Sequence, residues 1–224
     1  MTLDISKLRT TFLAAAAVCC LVPSQSLLGA DPAAAKPNVL YTATGTFGAT
    51  PISGEDQFKM AGQPFTISVV ANESLAPTSS GAAWAKFQCT GTPCPPPPAG
   101  LTMSATITSD FSGVPTPFPF SNHHVSLELG IGSNYDVIAI ASPIYISALS
   151  LQLDFVAQVQ LPVGTLKGDH INPFTAPYTF TPTSVATFTY ACPTTITQSG
   201  CTPGQSTTLS IPSGTFTTTV KTGN

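Results

Sequence analysis

The sequence predicts an all-β protein: an antiparallel β-sandwich, of jelly-roll or Ig-like topology, with an N-terminal signal helix. Three observations carry this. Short segments of alternating apolar and polar residues recur along most of the chain, the period of a half-buried strand. Pro (22) and Gly (17) are scattered between these segments as turn signals. The polar load is carried by hydroxyls, with 33 Thr and 22 Ser against only 8% charged residues. Ordinary domains carry about a quarter charged residues. Thr is β-branched, stiff at χ1, and suits a solvated strand face.

The first segment is set apart. Lys7 and Arg9 precede an unbroken apolar run at residues 12–22 (FLAAAAVCCLV), ended by Pro23. The run is too short for a membrane-spanning helix and fits the apolar region of a signal peptide. Residues 1–30 are therefore expected to be a signal peptide and 31–38 a flexible leader, with 39–224 one β-sandwich domain. Export implies a secreted, periplasmic or cell-envelope location. It also leaves four cysteines, Cys89, Cys94, Cys192 and Cys201. An even count in an exported chain reads as a disulfide framework. Four cysteines allow three connectivities. Local pairing, Cys89–Cys94 and Cys192–Cys201, is expected because each pair brackets a turn-like loop. Zinc is the weaker alternative, since the spacing is not CxxC and no His is near either pair in sequence.

The strands follow in order. Residues 39–47 place Val39, Tyr41, Ala43, Gly45 and Phe47 on one face and Leu40, Thr42, Thr44 and Thr46 on the other. Residues 48–56 read as a turn and 57–60 as a short strand. Residues 64–71 alternate with Phe65, Ile67, Val69 and Ala71 inward. Residues 75–81 read as a loop and 82–89 as a strand, with Trp84, Lys86 and Gln88 facing away from Phe87 and Cys89. The PCPPPP run near residue 95 favours polyproline II and a stiff loop. Residues 101–109 alternate with Leu101, Met103, Ala105 and Ile107 on one face. Residues 111–120 (FSGVPTPFPF) read as a second Pro-rich loop. Strands are expected at 125–131, at 137–141 and 144–149 with a break at Ser142-Pro143, and at 151–161. The list closes with 178–181, 185–192, 207–211 and 215–221. Strands at this spacing predict a sandwich or barrel. Thr44-Gly45-Thr46-Phe47 is echoed by Ser213-Gly214-Thr215-Phe216. Chance in a Thr/Gly-rich chain accounts for this; so does pairing of the first and last strands, each with Gly at a bulge.

Several function classes lack their signatures. Net charge is −3 with no basic cluster, so nucleic acid is not an expected partner, and no polybasic stretch addresses a lipid surface. Past the signal there is no apolar run long enough for a transmembrane helix. The mature chain has no GxSxG, no SxxK and no HExxH. His123 and His124 are adjacent, and so are Asp169 and His170, so neighbours on a strand would face opposite ways. Glu128 and Asp154 fall on the polar faces of good strands. Glu55 and Asp56 sit in a turn and are the arguable calcium ligands, although no DxDxDG-type string accompanies them. Trp84, the single Trp, lies on a polar strand face. It is the candidate for stacking on a sugar ring, set against the plainer reading of a side chain covering a sheet edge.

Thr44–Phe47, the Asp56-Gln57-Phe58 step and Gly62-Gln63-Pro64-Phe65 together resemble bacterial exported β-sandwich proteins of the kind that carry a PEP-CTERM sorting tail. The resemblance covers about thirty residues. This chain departs from that pattern at its end, which reads Val220-Lys221-Thr222-Gly223-Asn224 with no apolar anchor. The resemblance implies an envelope or extracellular sandwich and no catalytic residues. The expected function is thus a non-catalytic structural or interaction module without cofactors, with a glycan or an envelope protein as partner. A carbohydrate-binding sandwich is the alternative and a secreted hydrolase the second.

Overall fold

A computed structural model describes residues 36–89, 95, 100–122, 124–146, 151–166, 170–174, 177–194 and 202–221, with side chains at 144–146, 151 and 152 left out. The expected signal peptide, most of the leader and of the Pro-rich run, and Cys94, Cys201, His123 and Asp169 lie outside the described residues.

Lys36–Asn224 is one unit, and its described residues form strands, turns and irregular segments without a helix. One antiparallel sheet has six strands, in the order β11 (Tyr178–Phe180), β14 (Ser213–Lys221), β1 (Asn38–Thr46), β3 (Pro64–Asn72), β6 (Leu101–Ser109) and β7 (Thr116–Asn122). The other has eight: β2 (Pro51–Ser53), β13 (Ser206–Ser210), β12 (Ala186–Ala191), β10 (Leu151–Leu161), β9 (Asp136–Ile146), β8 (Ser126–Ile131), β5 (Trp84–Gln88) and β4 (Ser79–Gly81). The sheets do not close into a barrel. The chain changes sheet repeatedly, so both sheets are woven from distant segments.

Period-two alternation fills the space between the sheets. Val39, Tyr41 and Ala43 of β1, Phe65, Ile67, Val69 and Ala71 of β3, and Leu101, Met103, Ala105 and Ile107 of β6 are buried. Leu153, Phe155, Ala157, Val159 and Leu161 of β10, with Phe188 and Tyr190 of β12, face them from the other sheet. Aromatic contacts join the layers: Phe65 stacks on Phe47 at 4.6 Å, and Phe47 meets Phe188 at 4.9 Å. Phe188 continues to Phe155 at 5.4 Å, and Phe155 meets Phe120 of β7 edge-on at 6.3 Å. Such pairs each add about 0.5–1.5 kcal/mol beyond the area they bury.

The echo has a structural meaning. β1 and β14 pair antiparallel in continuous register, with Gly45 opposite Gly214 and Thr44 opposite Thr215. There is no bulge there. Each glycine leaves room for the other strand's backbone: a Cβ on Gly45 would lie 2.3 Å from Ser213 O, and one on Gly214 would lie 2.0 Å from Thr44 O.

Four expectations need correction. Residues 57–60 form a turn, yet Phe58 and Met60 are buried, which is why the segment reads like a strand. The neighbouring loop readings conceal two short edge strands, β2 and β4. Residues 116–122 form β7, although they carry Pro117 and Pro119. β7 is an edge, paired only with β6, so a proline ring can occupy the flank where no donor is needed. Finally, β9 runs unbroken through Ser142-Pro143. Pairing with β8 ends at Ser126 opposite Ala141, so one flank of β9 is already open at Pro143.

Candidate binding face of the eight-stranded sheet

The residues that face away from the core on β5, β8, β9 and β10 bring the sequence candidates into one surface. On β5, Ala85 and Phe87 point inward and are buried, so Trp84, Lys86 and Gln88 point out. Trp84 is 39% exposed. It stands between two glycines in register, Gly81 on β4 and Gly130 on β8. Its indole lies over Gly81: a Cβ there would be 2.4 Å from Trp84 Nε1. The missing side chain at Gly81 makes room for the ring, which lies against the sheet with its outer side open to solvent. Lys86 is opposite Glu128 in the next row.

Beyond Gln88 the face sinks into an open groove of about 330 Å³. Its lining includes apolar Ala141, Pro143 and Val156 and polar Gln88, His124, Ser126 and Asp154. Such a volume falls at the small end of ligand sites. The depression follows from sequence, because Ser126, Ala141 and Val156 lie in one cross-strand row, with small Ala141 in the middle. His124 is held by its backbone. Its N–H donates to Asn122 Oδ1 at 2.8 Å, and Asn122 Nδ2 donates to Ser142 Oγ at 3.0 Å and Pro143 O at 2.5 Å. Buried Ser142 lies 3.2 Å from His124 O. Asn122 ends β7 and Ser142 lies on β9, so this network also fastens one sheet to the other.

Ser126, His124 and Asp154 share the groove, but strand spacing limits their chemistry. β9 separates β8 from β10, so Ser126 and Asp154 are about 10 Å apart across the sheet. A relay would need hydrogen-bond contact throughout, with His124 as the only histidine link among the described residues of the groove. Exposed His170 is 2.9 Å from Asn172 through its carbonyl and does not line this groove.

Glu55 and Asp56 are placed elsewhere. Asp56 Oδ1 accepts from Met60 N (3.1 Å) and Tyr190 OH (2.8 Å), and Oδ2 accepts from Ala61 N (2.7 Å). The carboxylate thus closes the 57–62 turn and ties it to β12. The exposed Glu55 uses its carbonyl to accept from Thr207 Oγ1 at 2.5 Å. Among the described residues no three His, Cys, Asp or Glu side chains converge as metal ligands. Burial pushes the Tyr190 hydroxyl well above the usual tyrosine range, and the neighbouring Asp56 raises it further against the lowering bond from Thr207. Tyr41, held between Asn172 O (3.0 Å) and Asn172 N (3.2 Å), is also raised by burial. Cys89 borders the groove, and it and Cys192 are disulfide cysteines. Cys94 and Cys201 lie outside the described residues, so the pairing stays an expectation.

Sequence reasoning placed Trp84 on the outer face and missed the groove. Gln88, Asn122, Ala141 and Pro143 converge only through register. No described helix is long and apolar enough to cross a membrane. Comparison with protein-family models, characterised proteins and solved structures finds no match.

Proposed function

We propose that the protein is a non-catalytic, exported interaction module that binds a glycan on the outer face of its eight-stranded sheet. The observation that carries this is the groove at Gln88, His124, Ser126 and Asp154 on the same face as exposed Trp84. A sugar needs an apolar ledge for its ring face and amide, hydroxyl or carboxylate groups for its hydroxyls, and this face offers both. Trp84 and Gln88 are four residues apart on one strand, about 13 Å, so an extended chain of sugar units would reach from one to the other. Export rests on the positive and apolar N-terminal segment, and on the resemblance to exported envelope sandwiches. Local pairing of Cys89 with Cys94 and of Cys192 with Cys201 is part of the same proposal.

The test is a glycan array followed by polysaccharide pull-down with wild type, Trp84→Ala and Gln88→Ala. Losing the indole should weaken a detected glycan about tenfold, equivalent to roughly 1.4 kcal/mol. Silence of the wild type across a broad array would sink the reading. The shared position of Ser126, His124 and Asp154 favours ester hydrolysis as the second reading. Turnover of an aryl ester that disappears in both Ser126→Ala and His124→Ala would establish it.

A further inference from the structure

The opposite face of the molecule carries a different pattern. On the six-stranded sheet, register aligns Thr179, Thr215, Thr44, Thr66 and Thr106 in one row across five strands, ending at Pro119 on β7. The next row is Thr217, Thr42, Ser68, Ser104 and Ser121. All point away from the buried positions with which they alternate. Two hydroxyl pairs confirm the alignment: Thr44 Oγ1 is 3.1 Å from Thr215 Oγ1, and Thr42 Oγ1 is 3.2 Å from Ser68 Oγ. Ser104, Pro119, Ser121 and Thr179 are exposed and the central hydroxyls part-exposed. A shallow depression of about 380 Å³ opens over Thr66, Ser104, Thr106 and Pro119, so this side meets solvent.

We infer that this hydroxyl grid is an ice-binding surface. Its rows repeat about every 6.7 Å along the strands and its columns about every 4.8 Å across them. The oxygen lattice on the prism face of hexagonal ice repeats at distances close to both. Thr is stiff at χ1, and the cross-strand hydroxyl pairs hold it further, so the surface orders water without first having to order itself. The two rows carry no charged side chain and no aromatic ring. A glycan would be expected to find a ring platform, and a charged partner would find no counter-charge. Strand twist of roughly 20–25° per neighbour confines a lattice match to about three adjacent strands. The unbulged β14, β1 and β3 pairings provide such a patch at Thr215, Thr44 and Thr66.

This inference is independent of the glycan reading, which concerns the other sheet. It is tested with the purified protein in supercooled water, by watching single ice crystals and measuring ice recrystallisation. Wild type should facet the crystals and slow their coarsening. Thr44→Lys should abolish both, with the fold checked by circular dichroism, and Gln158→Lys on the opposite sheet should abolish neither. If Thr44→Lys does not fold, Thr66→Lys in the same patch on β3 replaces it and should cut recrystallisation inhibition. Unshaped, disc-like crystals with wild type overturn the inference. So does full activity in a folded Thr44→Lys, or binding to crystalline cellulose or chitin without any effect on ice.

Discussion

Replacing Gly214 by Ala tests the claim that the pairing of the first and last long strands depends on a glycine–glycine contact. Gly214 has φ of +131°, a region that essentially only Gly occupies, at a cost of about 1–3 kcal/mol for any other residue. The added Cβ would also lie 2.0 Å from Thr44 O and 2.5 Å from Gly45 Cα. Both are backbone atoms within the nine-residue pairing, one and two pairs from its end, so they cannot rotate away as a side chain would. Overlap of this kind adds about 1–3 kcal/mol. The sum, roughly 2–6 kcal/mol, is a large share of the stability of a typical domain. At about 2–4 °C per kcal/mol for a domain of this size, the melting temperature should fall by roughly 5–20 °C. Gly113→Ala is the control. Gly113 also has positive φ, +80°, but a Cβ there meets nothing within 4 Å. It should lose only the conformational part, about 1 kcal/mol. Thermal and urea unfolding of both variants measure the difference. Equal losses in the two would show that the strands are not locked by close backbone approach, and the register argument would fail with it.

Three further outcomes follow from the same geometry. Asp56→Ala removes the acceptor for Met60 N, Ala61 N and Tyr190 OH and should cost about 2–4 kcal/mol in urea unfolding; Asp56→Asn should lose less. If the carboxylate is structural, a chelator leaves the wild-type melting temperature unchanged, whereas a chelator-induced drop would mark a calcium site. Tyr41 and Tyr190 have raised folded pKa values, so the folded state holds their protons beyond the point where the unfolded chain releases them, near pH 10. Their contribution is fully present below about pH 10 and is lost as pH rises through the higher folded values. Tyrosinate absorbance should therefore rise in two stages, the second coinciding with unfolding by circular dichroism; a single early rise in the intact fold would refute the burial argument.

The strand faces were legible because period two is a local property. Burial at Phe65, Ile67, Val69 and Ala71, or at Leu153, Phe155, Ala157, Val159 and Leu161, decides which way a strand must lie whatever its neighbours are. Proline misled because its rule depends on neighbours. Pro117 and Pro119 exclude a central strand but not an edge, and Pro143 is tolerated where β8 has already ended. The groove was illegible for the same reason. Ala141 is an unremarkable small residue until Ser126 and Val156 flank it, and Asn122 needs Ser142 from the other sheet before it fixes His124. Asp56 offered a signal with two readings. An acid in a turn suggests a cation, yet the amides of Met60 and Ala61, four and five residues on, satisfy it from within the turn.

Register is the hardest quantity to read in such a chain. A strand with Thr or Ser at nearly every outward position offers almost the same outer face at every two-residue slip, so hydroxyl pairing alone specifies little. Something rarer must choose. Between β1 and β14 the rare feature is Gly45 facing Gly214, since a slip by two would set Gly214 against Ala43 or Phe47 and press a Cβ into the other strand's backbone. The repeated Gly-Thr-Phe thus fixes the register, and the register in turn aligns the hydroxyls into rows. A prediction follows that joins fold to function: in Gly214→Ala the added Cβ, 2.0 Å from Thr44 O, should push β14 off β1 and carry Thr215 out of line with Thr44 and Thr66. The variant should then lose ice shaping even though no hydroxyl has been removed, while a Gly113→Ala protein of comparable purity keeps it. Retained shaping in a folded Gly214→Ala protein with β14 displaced would mean that the rows do not bind as a lattice.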